Sequence, residues 1–439
     1  MSIAASLSKL ELLRMERLRA SKLFREFVLF GSSTILYQAS RFIVLLVVAS
    51  IVGPRDFGIW NLLNLVLVYG AYAPLGVGNG MNRDVPLFKG RGNVNKVREV
   101  RSVSAGFIGL STMIIAACLV LIAPFVVDSS TVLALRLVSG LFLVFQLYNF
   151  CQIYLVSDSR FDQMSYQQIA FAVLLPAVAI PLAYKWKLNG FIVGQGFAYL
   201  AAALFMAKMV GFNFKPHLDW PEVRRLIRVG LPIAAVGLSY GLLTTVDRWV
   251  VQKYLGTTQL GYYSLTIVVG SVVTMLPKVL SDQIYPRMAE TYGNTSDYRS
   301  LKRWIVGQII STGAVLSLVV MVAFFALPPL VRVALPAYQP GILPMRISLI
   351  GFLFLPLAGA FGNFLNTVSK QMYYLAVQLF AIPLEIILSI LLIRLGMGIE
   401  GVALAMAITS FLYCFALFLV GMRMLRQHPL PCAEVGCAE

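Results

Sequence analysis

The chain has 439 residues, of which 59% are hydrophobic and 13% are charged, and its formal net charge is +17. Ordinary soluble domains carry about 25% charged residues, so this composition excludes a soluble protein. The basic excess does not indicate nucleic-acid binding, because the Lys and Arg residues fall mainly in alternate short connections rather than in a separate basic domain.

The first 26 residues are charged and precede the first apolar segment. The spacing of their leucines and basic residues fits an amphipathic helix on the inner membrane surface, and a frayed polar leader fits the same composition. No small-residue cleavage site follows the first apolar segment. We therefore expect that segment to be retained as a transmembrane helix.

Apolar segments long enough to cross a membrane recur along the whole chain. Glycine, proline and clusters of charge separate them into about twelve predicted spans. The spans are residues 27–52, 57–80, 103–127, 132–156, 165–184, 189–211, 229–254, 260–285, 304–333, 341–367, 371–394 and 398–422. The predicted fold class is an all-α membrane protein with about twelve transmembrane helices.

The distribution of basic residues predicts the orientation of these spans. With both termini in the cytoplasm, 25 of the 36 Lys and Arg residues lie in inner segments and 8 lie in outer loops. Positive charge accumulates on the cytoplasmic side of membrane proteins, so this orientation is favoured. We expect a multi-pass protein of the cytoplasmic (inner) membrane.

A short repeat indicates two related halves. After the first span the chain reads VGPRDFGIW (residues 52–60), and after the seventh it reads LGTTQLGYY (residues 255–263). Both copies fit one pattern of two glycines, apolar residues and a final aromatic residue, at an offset of 203 positions. They occupy equivalent places in two sets of six spans, which favours two parallel six-helix lobes.

The repeat and the spans together predict a chain of five parts. These are a cytoplasmic leader (1–26), an N-terminal six-helix lobe (27–211), a cytoplasmic linker (212–228), a C-terminal six-helix lobe (229–422) and a cytoplasmic tail (423–439). The outer loops are short throughout, so they leave no room for a catalytic domain.

Six charged residues are predicted inside the bilayer, where a charge is costly unless it is paired or functional. They are Arg41, Asp247, Arg248, Lys278, Asp282 and Glu385. Arg41 shares a helical face with Thr34 and Gln38. It is either a structural ion-pair member or snorkelling residue, or a cation that lines a water-filled cavity.

The other five charged residues differ in the partners that their side chains can find. Asp247 and Arg248 are adjacent, so their side chains point about 100° apart and each needs a partner on another helix or a ligand. Lys278 and Asp282 are four residues apart and fit either an internal structural pair or a functional site. Glu385 follows Pro383 in a span that the proline can bend, which fits either a proton or sodium site or a buried carboxyl group that stays neutral.

Signatures of catalysis are missing from the sequence. The two histidines, His217 and His428, lie in predicted cytoplasmic segments, and no Ser/His/Asp set or P-loop occurs. The five cysteines give neither a disulfide framework nor a strong metal site. We expect a protein that is not an enzyme, that holds no metal or cofactor, and that does not bind nucleic acid.

Three segments carry a family resemblance: IVGPRDFGIWNLLNLVLVYG, LGVGNGMNRDVPLFKG and TTVDRWVVQKYLGTTQLGYYSL. They look like oligosaccharide (O-antigen type) flippases of the polysaccharide transporter family, within the multidrug/oligosaccharidyl-lipid/polysaccharide exporter (MOP) superfamily. The likeness covers nearly the whole chain. It implies two six-helix lobes around a central cavity that opens alternately to each side. The implied substrate is an undecaprenyl-pyrophosphate-linked oligosaccharide, moved from the inner to the outer leaflet for surface polysaccharide export.

Under this resemblance the buried cations acquire a role. A pyrophosphate head group needs positive charge in a cavity of low dielectric, which Arg41, Arg248, Lys278 and Arg83 could supply. The acidic residues Asp247, Asp282 and Glu385 are then candidates for coupling transport to H⁺ or Na⁺. The expected partners are the lipid-linked oligosaccharide, the membrane, and the glycan polymerase and glycosyltransferases of the same pathway.

Three alternatives remain at this point. A cation-coupled multidrug exporter of the same superfamily would share the fold, but three candidate cavity cations suit an anionic ligand better than a cationic drug. A membrane-embedded glycan polymerase or glycosyltransferase needs a substantial outer loop, which this chain lacks. A lipid II flippase would, by the same resemblance, carry two more helices than this chain can hold.

Overall fold

The computed structural model describes residues 2–126, 129–158, 160–211, 215–295 and 297–426, without the side chains of 2–28, 126, 129–130, 276, 278–279, 282–283 and 286. Across these residues the regular structure is helical, which confirms the all-α prediction. The first helices are α1 (Ser2–Gly70), α2 (Val77–Gly90), α3 (Val94–Val126), α4 (Ser129–Ser157), α5 (Phe161–Val210) and α6 (Trp220–Leu243). The others are α7 (Val246–Leu255), α8 (Thr257–Val273), α9 (Met275–Thr295), α10 (Lys302–Ala334), α11 (Ile342–Thr367), α12 (Gln371–Arg394) and α13 (Gly398–Arg426).

Nine helical stretches in the described ranges are long and apolar enough to cross a membrane. Two of them, at 42 and 50 residues, are about twice as long as one crossing requires. Gly53 interrupts the first with φ 80°, and Trp186 and Lys187 interrupt the second with φ −125° and 52°. Each long stretch therefore contains two membrane-crossing segments joined by a sharp turn. Both turns lie where the sequence predicted a connection between two spans.

The predicted second span, 57–80, is wrong at its inner end. Helix α1 stops at Gly70, and a turn over residues 71–76 leads into the separate helix α2. Pro74 lacks a backbone N–H, and Gly76 has φ 82°, so neither residue continues a helix. The short amphipathic α2 therefore replaces the last turns of the predicted span.

The contacts within the chain divide it into two compact units. Unit 1 comprises residues 1–44 and 73–231, and unit 2 comprises residues 45–72 and 232–439. The second half of α1 thus packs with the C-terminal part of the chain. The predicted lobe boundaries, 27–211 and 229–422, stay a prediction.

In unit 1 the core joins α2, α3 and the first turns of α6. Val77, Met81 and Val85 of α2 pack with Val100 of α3 and Leu226 of α6, and all five are fully buried. The backbones of α2 and α6 approach closely, because a Cβ atom added at Gly80 would lie 2.8 Å from the Leu226 carbonyl oxygen. Small residues at such crossings let transmembrane helices meet through their backbones.

In unit 2 the two copies of the glycine repeat pack against each other. A Cβ atom at Gly58 would overlap the carbonyl oxygen of Thr257, and one at Gly261 would overlap the carbonyl oxygen of Pro54. The contact is reciprocal, because each copy places its second glycine against the residue that follows the first glycine of the other copy. The sequence repeat is therefore also a packing motif.

Candidate functional site

Arg41 lies half-buried on α1 in unit 1, among tyrosines. Its Cζ atom is 5.6 Å from the centroid of the Tyr37 ring, and its charge is in electrostatic range of the Tyr148 and Tyr199 hydroxyl groups. Among the described residues it forms no ion pair. The guanidinium is thus held by aromatic and hydroxyl groups without a neutralising carboxylate.

The aromatic groups around Arg41 form a tightly packed cluster. The ring centroids of Tyr148 and Tyr199 are 5.0 Å apart, those of Tyr199 and Phe171 are 4.4 Å apart, and those of Tyr37 and Phe171 are 5.1 Å apart. Such edge and tilted contacts restrict ring motion. The cluster therefore fixes the surroundings of Arg41.

Each unit contains a hydrogen-bonded Ser–Gln pair between two helices. The hydroxyl of Ser33 donates to Oε1 of Gln168 at 2.9 Å in unit 1, and the hydroxyl of Ser239 donates to Oε1 of Gln378 in unit 2. The first pair joins α1 to α5, and the second joins α6 to α12. Arg41 follows Ser33 by eight residues, and Asp247 follows Ser239 by eight residues. A cation and an anion thus follow the two serines at the same spacing in the sequence.

The Asp247 carboxylate sits at a break between two helices. Helix α6 ends at Leu243 and α7 begins at Val246, so Asp247 lies in the first turn of α7. Its Oδ1 accepts from the backbone N–H of Arg248 at 2.8 Å, and its Oδ2 accepts from the Tyr263 hydroxyl at 2.9 Å. Asp247 is therefore hydrogen-bonded to a residue on another helix, Tyr263 on α8. The sequence predicted such a partner or a ligand, because the side chains of Asp247 and Arg248 point in different directions.

Arg248 is left without a comparable partner. Its side chain is half-buried, and its Nε atom is buried with no hydrogen-bond partner. It forms no ion pair within the described ranges of the chain. Leaving a charged donor unsatisfied costs more than leaving a neutral one, so this guanidinium is suited to receive an anionic ligand.

Glu385 on α12 is brought together with Asp247. Only 3% of Glu385 is exposed, its Oε1 atom has no hydrogen-bond partner, and its charge interacts with that of Asp247. One turn further along α12, the buried Ser389 hydroxyl is also without a partner. Two carboxyl groups and unpaired oxygen atoms thus occupy one buried region of unit 2.

The remaining predicted site residues lie elsewhere. Arg83 is exposed on α2. The side chains of Lys278 and Asp282, on α9, fall outside the described part of the chain, so the pairing predicted for them stays a prediction.

A second set of charged residues, in which two buried carboxylates meet two partly exposed basic side chains near the start of α6, was not predicted from the sequence. In unit 1, Arg225 donates to Oδ2 of Asp84 at 2.6 Å and to both oxygens of Glu222 at 2.7 and 2.9 Å. Lys96 Nζ also donates to Glu222, at 3.1 Å. The sequence shows that charged residues cluster in these predicted cytoplasmic segments. Which acidic residue pairs with which basic residue depends on how α2, α3 and α6 pack.

Comparison with a protein-family model shows which family the chain belongs to. The model described as "Polysaccharide biosynthesis protein" matches residues 47–337, which is more than half of the chain. The chain belongs to the polysaccharide biosynthesis protein family. The resemblance identified in the sequence is thereby confirmed.

The chain is also similar to a membrane protein and to solved transporter structures. An uncharacterized membrane protein of Methanocaldococcus jannaschii is 26% identical over 247 residues, a match that covers 53% of this chain and 57% of that protein. An inward-facing multidrug resistance MATE family transporter of the MOP superfamily superposes with a TM-score of 0.76 at 13% identity, covering 91% and 98% of the two chains.

A further solved structure has the same fold. A MOP superfamily transporter from Pyrococcus furiosus, described with a binding pocket of reverse polarity, has a TM-score of 0.69 at 14% identity and covers 91% and 95% of the two chains. At such low identity these likenesses establish the fold alone. The polysaccharide biosynthesis family member is thus a multi-pass membrane protein with the fold of MOP superfamily transporters.

Proposed function

We propose that this polysaccharide biosynthesis family member is an alternating-access flippase. It moves undecaprenyl-pyrophosphate-linked oligosaccharide from the inner to the outer leaflet for the export of surface polysaccharide. Membership of the family supports the link to polysaccharide, and the fold of the MOP superfamily supports transport.

The observation that carries the proposal concerns the guanidinium groups of Arg41 and Arg248, of which Arg248 is offset in part by the charge of the neighbouring Asp247. Both are half-buried in predicted spans, and neither forms an ion pair in the described chain. A pyrophosphate offers several anionic oxygens, and guanidinium groups bind such oxygens with two parallel hydrogen bonds. Binding of an anionic head group therefore supplies the hydrogen-bond acceptors and negative charge that the guanidinium groups of Arg41 and Arg248 require.

We propose that Arg41, Arg248, Lys278 and Arg83 supply the positive charge that binds the head group during the transport cycle. The isoprenoid tail stays in the lipid. Transport then proceeds by rigid-body rocking of one half of the protein against the other.

The carboxyl groups of Asp247 and Glu385 are proposed to couple transport to H⁺ or Na⁺. Two buried carboxylates that repel each other are stabilised by a shared cation or proton, and the unpartnered Glu385 Oε1 is an available oxygen ligand. Asp282 remains a further candidate.

The proposal places the protein in the cytoplasmic membrane with both termini in the cytoplasm. The substrate is made by glycosyltransferases on the inner leaflet and consumed by a glycan polymerase at the outer leaflet, so these enzymes are the proposed functional partners. The chain itself is proposed to carry out no catalysis.

A second candidate function is cation-coupled export of drugs, favoured by the likeness to a multidrug resistance MATE family transporter. The two functions differ in the charge of the ligand. A cationic drug would be repelled by Arg41 and Arg248, whereas a pyrophosphate would be bound by them.

Ligand binding to the purified, membrane-reconstituted protein tests the proposal. We expect undecaprenyl pyrophosphate to bind more tightly than undecaprenyl monophosphate, and uncharged undecaprenol to bind least. Arg41→Gln and Arg248→Gln should each weaken pyrophosphate binding by about tenfold. The exposed Arg394, at the end of α12, provides the control variant Arg394→Gln, which should bind as the wild type does. Equal affinity for the three lipids would refute the proposal.

A further inference from the structure

A pair of aromatic side chains adjoins Arg248 in unit 2. Trp249 follows Arg248 on α7, and 49% of the residue is exposed. Its indole Nε1 donates to the hydroxyl oxygen of Tyr69 at 3.0 Å, and that hydroxyl is in turn hydrogen-bonded to the side chain of Thr245 at 2.6 Å. The indole is therefore fixed by a chain of hydrogen bonds that ends at the break between α6 and α7.

The two rings are nearly parallel. Their planes differ by 14° and their centroids are 6.5 Å apart, which is too far for direct face-to-face stacking. The rings are thus displaced sideways, and the hydrogen bond from Nε1, which lies in the indole plane, joins them. Together Trp249 and Tyr69 form an extended aromatic surface, which we name the Trp249–Tyr69 surface.

We propose that the Trp249–Tyr69 surface binds the sugar residue attached directly to the pyrophosphate. This inference rests on the proposed function. A pyranose ring has an apolar face of C–H groups, whose partial positive charge matches the negative face of an aromatic ring. The first sugar is one ester bond from the phosphate. The Tyr69 hydroxyl, which accepts from the Trp249 indole, lies within electrostatic range of the Arg248 guanidinium, so a phosphate bound by Arg248 brings that sugar near the Trp249–Tyr69 surface.

An aromatic residue near the end of a transmembrane helix can also anchor the protein at the membrane interface. Trp249 precedes the turn at Gly256 by seven residues, which corresponds to about 10 Å along a helix. Its N–H group is bonded to Tyr69 rather than left for lipid head groups. Both facts favour a role in ligand binding over interfacial anchoring.

The experiment compares two ligands that differ by one sugar. Full-length protein in lipid nanodiscs is titrated with undecaprenyl pyrophosphate and with the same lipid carrying one N-acetylglucosamine. For Trp249→Leu we expect the affinity for the glycosylated lipid to fall by about tenfold, equivalent to ~1.4 kcal/mol, and the affinity for the bare pyrophosphate lipid to stay within about twofold. Trp186→Leu is the matched control, because 51% of Trp186 is exposed and it lies in unit 1.

A second variant guards against poor folding of Trp249→Leu. Tyr69→Phe keeps the ring but removes the hydroxyl that holds the indole, and it should weaken binding of the glycosylated lipid selectively. An equal loss for both lipids, or no loss for either, would overturn the role of the Trp249–Tyr69 surface while leaving the flippase proposal intact. If wild-type protein binds neither lipid, the proposed function itself fails.

Discussion

Gly261 packs directly against the carbonyl group of Pro54, and a Cβ atom at position 261 would overlap the Pro54 oxygen. Gly58 makes the reciprocal contact with Thr257, so the two glycine turns hold each other within unit 2. We predict that Gly261→Ala lowers the stability of the folded protein by roughly 1–3 kcal/mol, because the backbones must separate to accept the methyl group. The thermal unfolding midpoint in detergent measures this.

Gly140→Ala is the control for that prediction. Gly140 lies in α4 with open space around its Cα atom, so alanine there should leave the midpoint unchanged or raise it slightly. Equal midpoints for Gly261→Ala and Gly140→Ala would show that the close contact at Gly261 does not contribute to stability.

Arg225 connects two acidic residues of unit 1, and its removal should destabilise the protein. Without it, Asp84 loses its ion pair and Glu222 keeps only Lys96. The Arg225 side chain is 37% exposed, so we expect a loss of about 1–3 kcal/mol rather than the larger value of a fully buried pair. Thermal unfolding of Arg225→Gln checks this, with the exposed neighbour Arg224→Gln as control. Equal effects of the two substitutions would contradict the assigned contacts.

The acidic pair of unit 2 predicts a specific transport defect. In proteoliposomes, Asp247→Asn and Glu385→Gln should abolish the dependence of lipid flipping on an imposed H⁺ or Na⁺ gradient, because neither amide can hold a proton or balance a cation. Binding of the lipid pyrophosphate should persist within about threefold. Glu290→Gln, at an exposed position on α9, serves as the control. Gradient-dependent flipping that survives both substitutions would exclude these carboxyl groups from coupling.

Much of the fold follows from local sequence signals. Gly53 and the region of Trp186 and Lys187 were predicted as turns, because charge, glycine and proline interrupt the apolar runs there. The end of α1 at Gly70 was missed, since the apolar run continues past Pro74 and only the backbone conformation shows where the helix stops.

Contacts between side chains on different helices were harder to predict from the sequence. The sequence indicated that Asp247 needs a partner, but it could not indicate Tyr263 or Glu385, because those contacts depend on how α7 packs with α8 and α12. The Ser33–Gln168 and Ser239–Gln378 pairs were likewise hidden, since serine and glutamine in a span are compatible with many helix contacts. The Arg41 tyrosines come from three separate helices and have no common sequence signal.

The most direct test of the central claim is lipid translocation by the purified protein in liposomes. A labelled undecaprenyl-pyrophosphate-linked sugar is placed in both leaflets, and a glycosidase is added outside. Cleavage of the fraction that starts in the protected leaflet is followed with time, because that fraction must cross the bilayer before it is cleaved. We predict translocation well above that of empty liposomes and a fall of at least about tenfold in the Arg41→Gln/Arg248→Gln double variant, since each single substitution is expected to weaken head-group binding about tenfold. Translocation at the rate of empty liposomes by folded wild-type protein, or an unchanged rate in the double variant, would contradict the account.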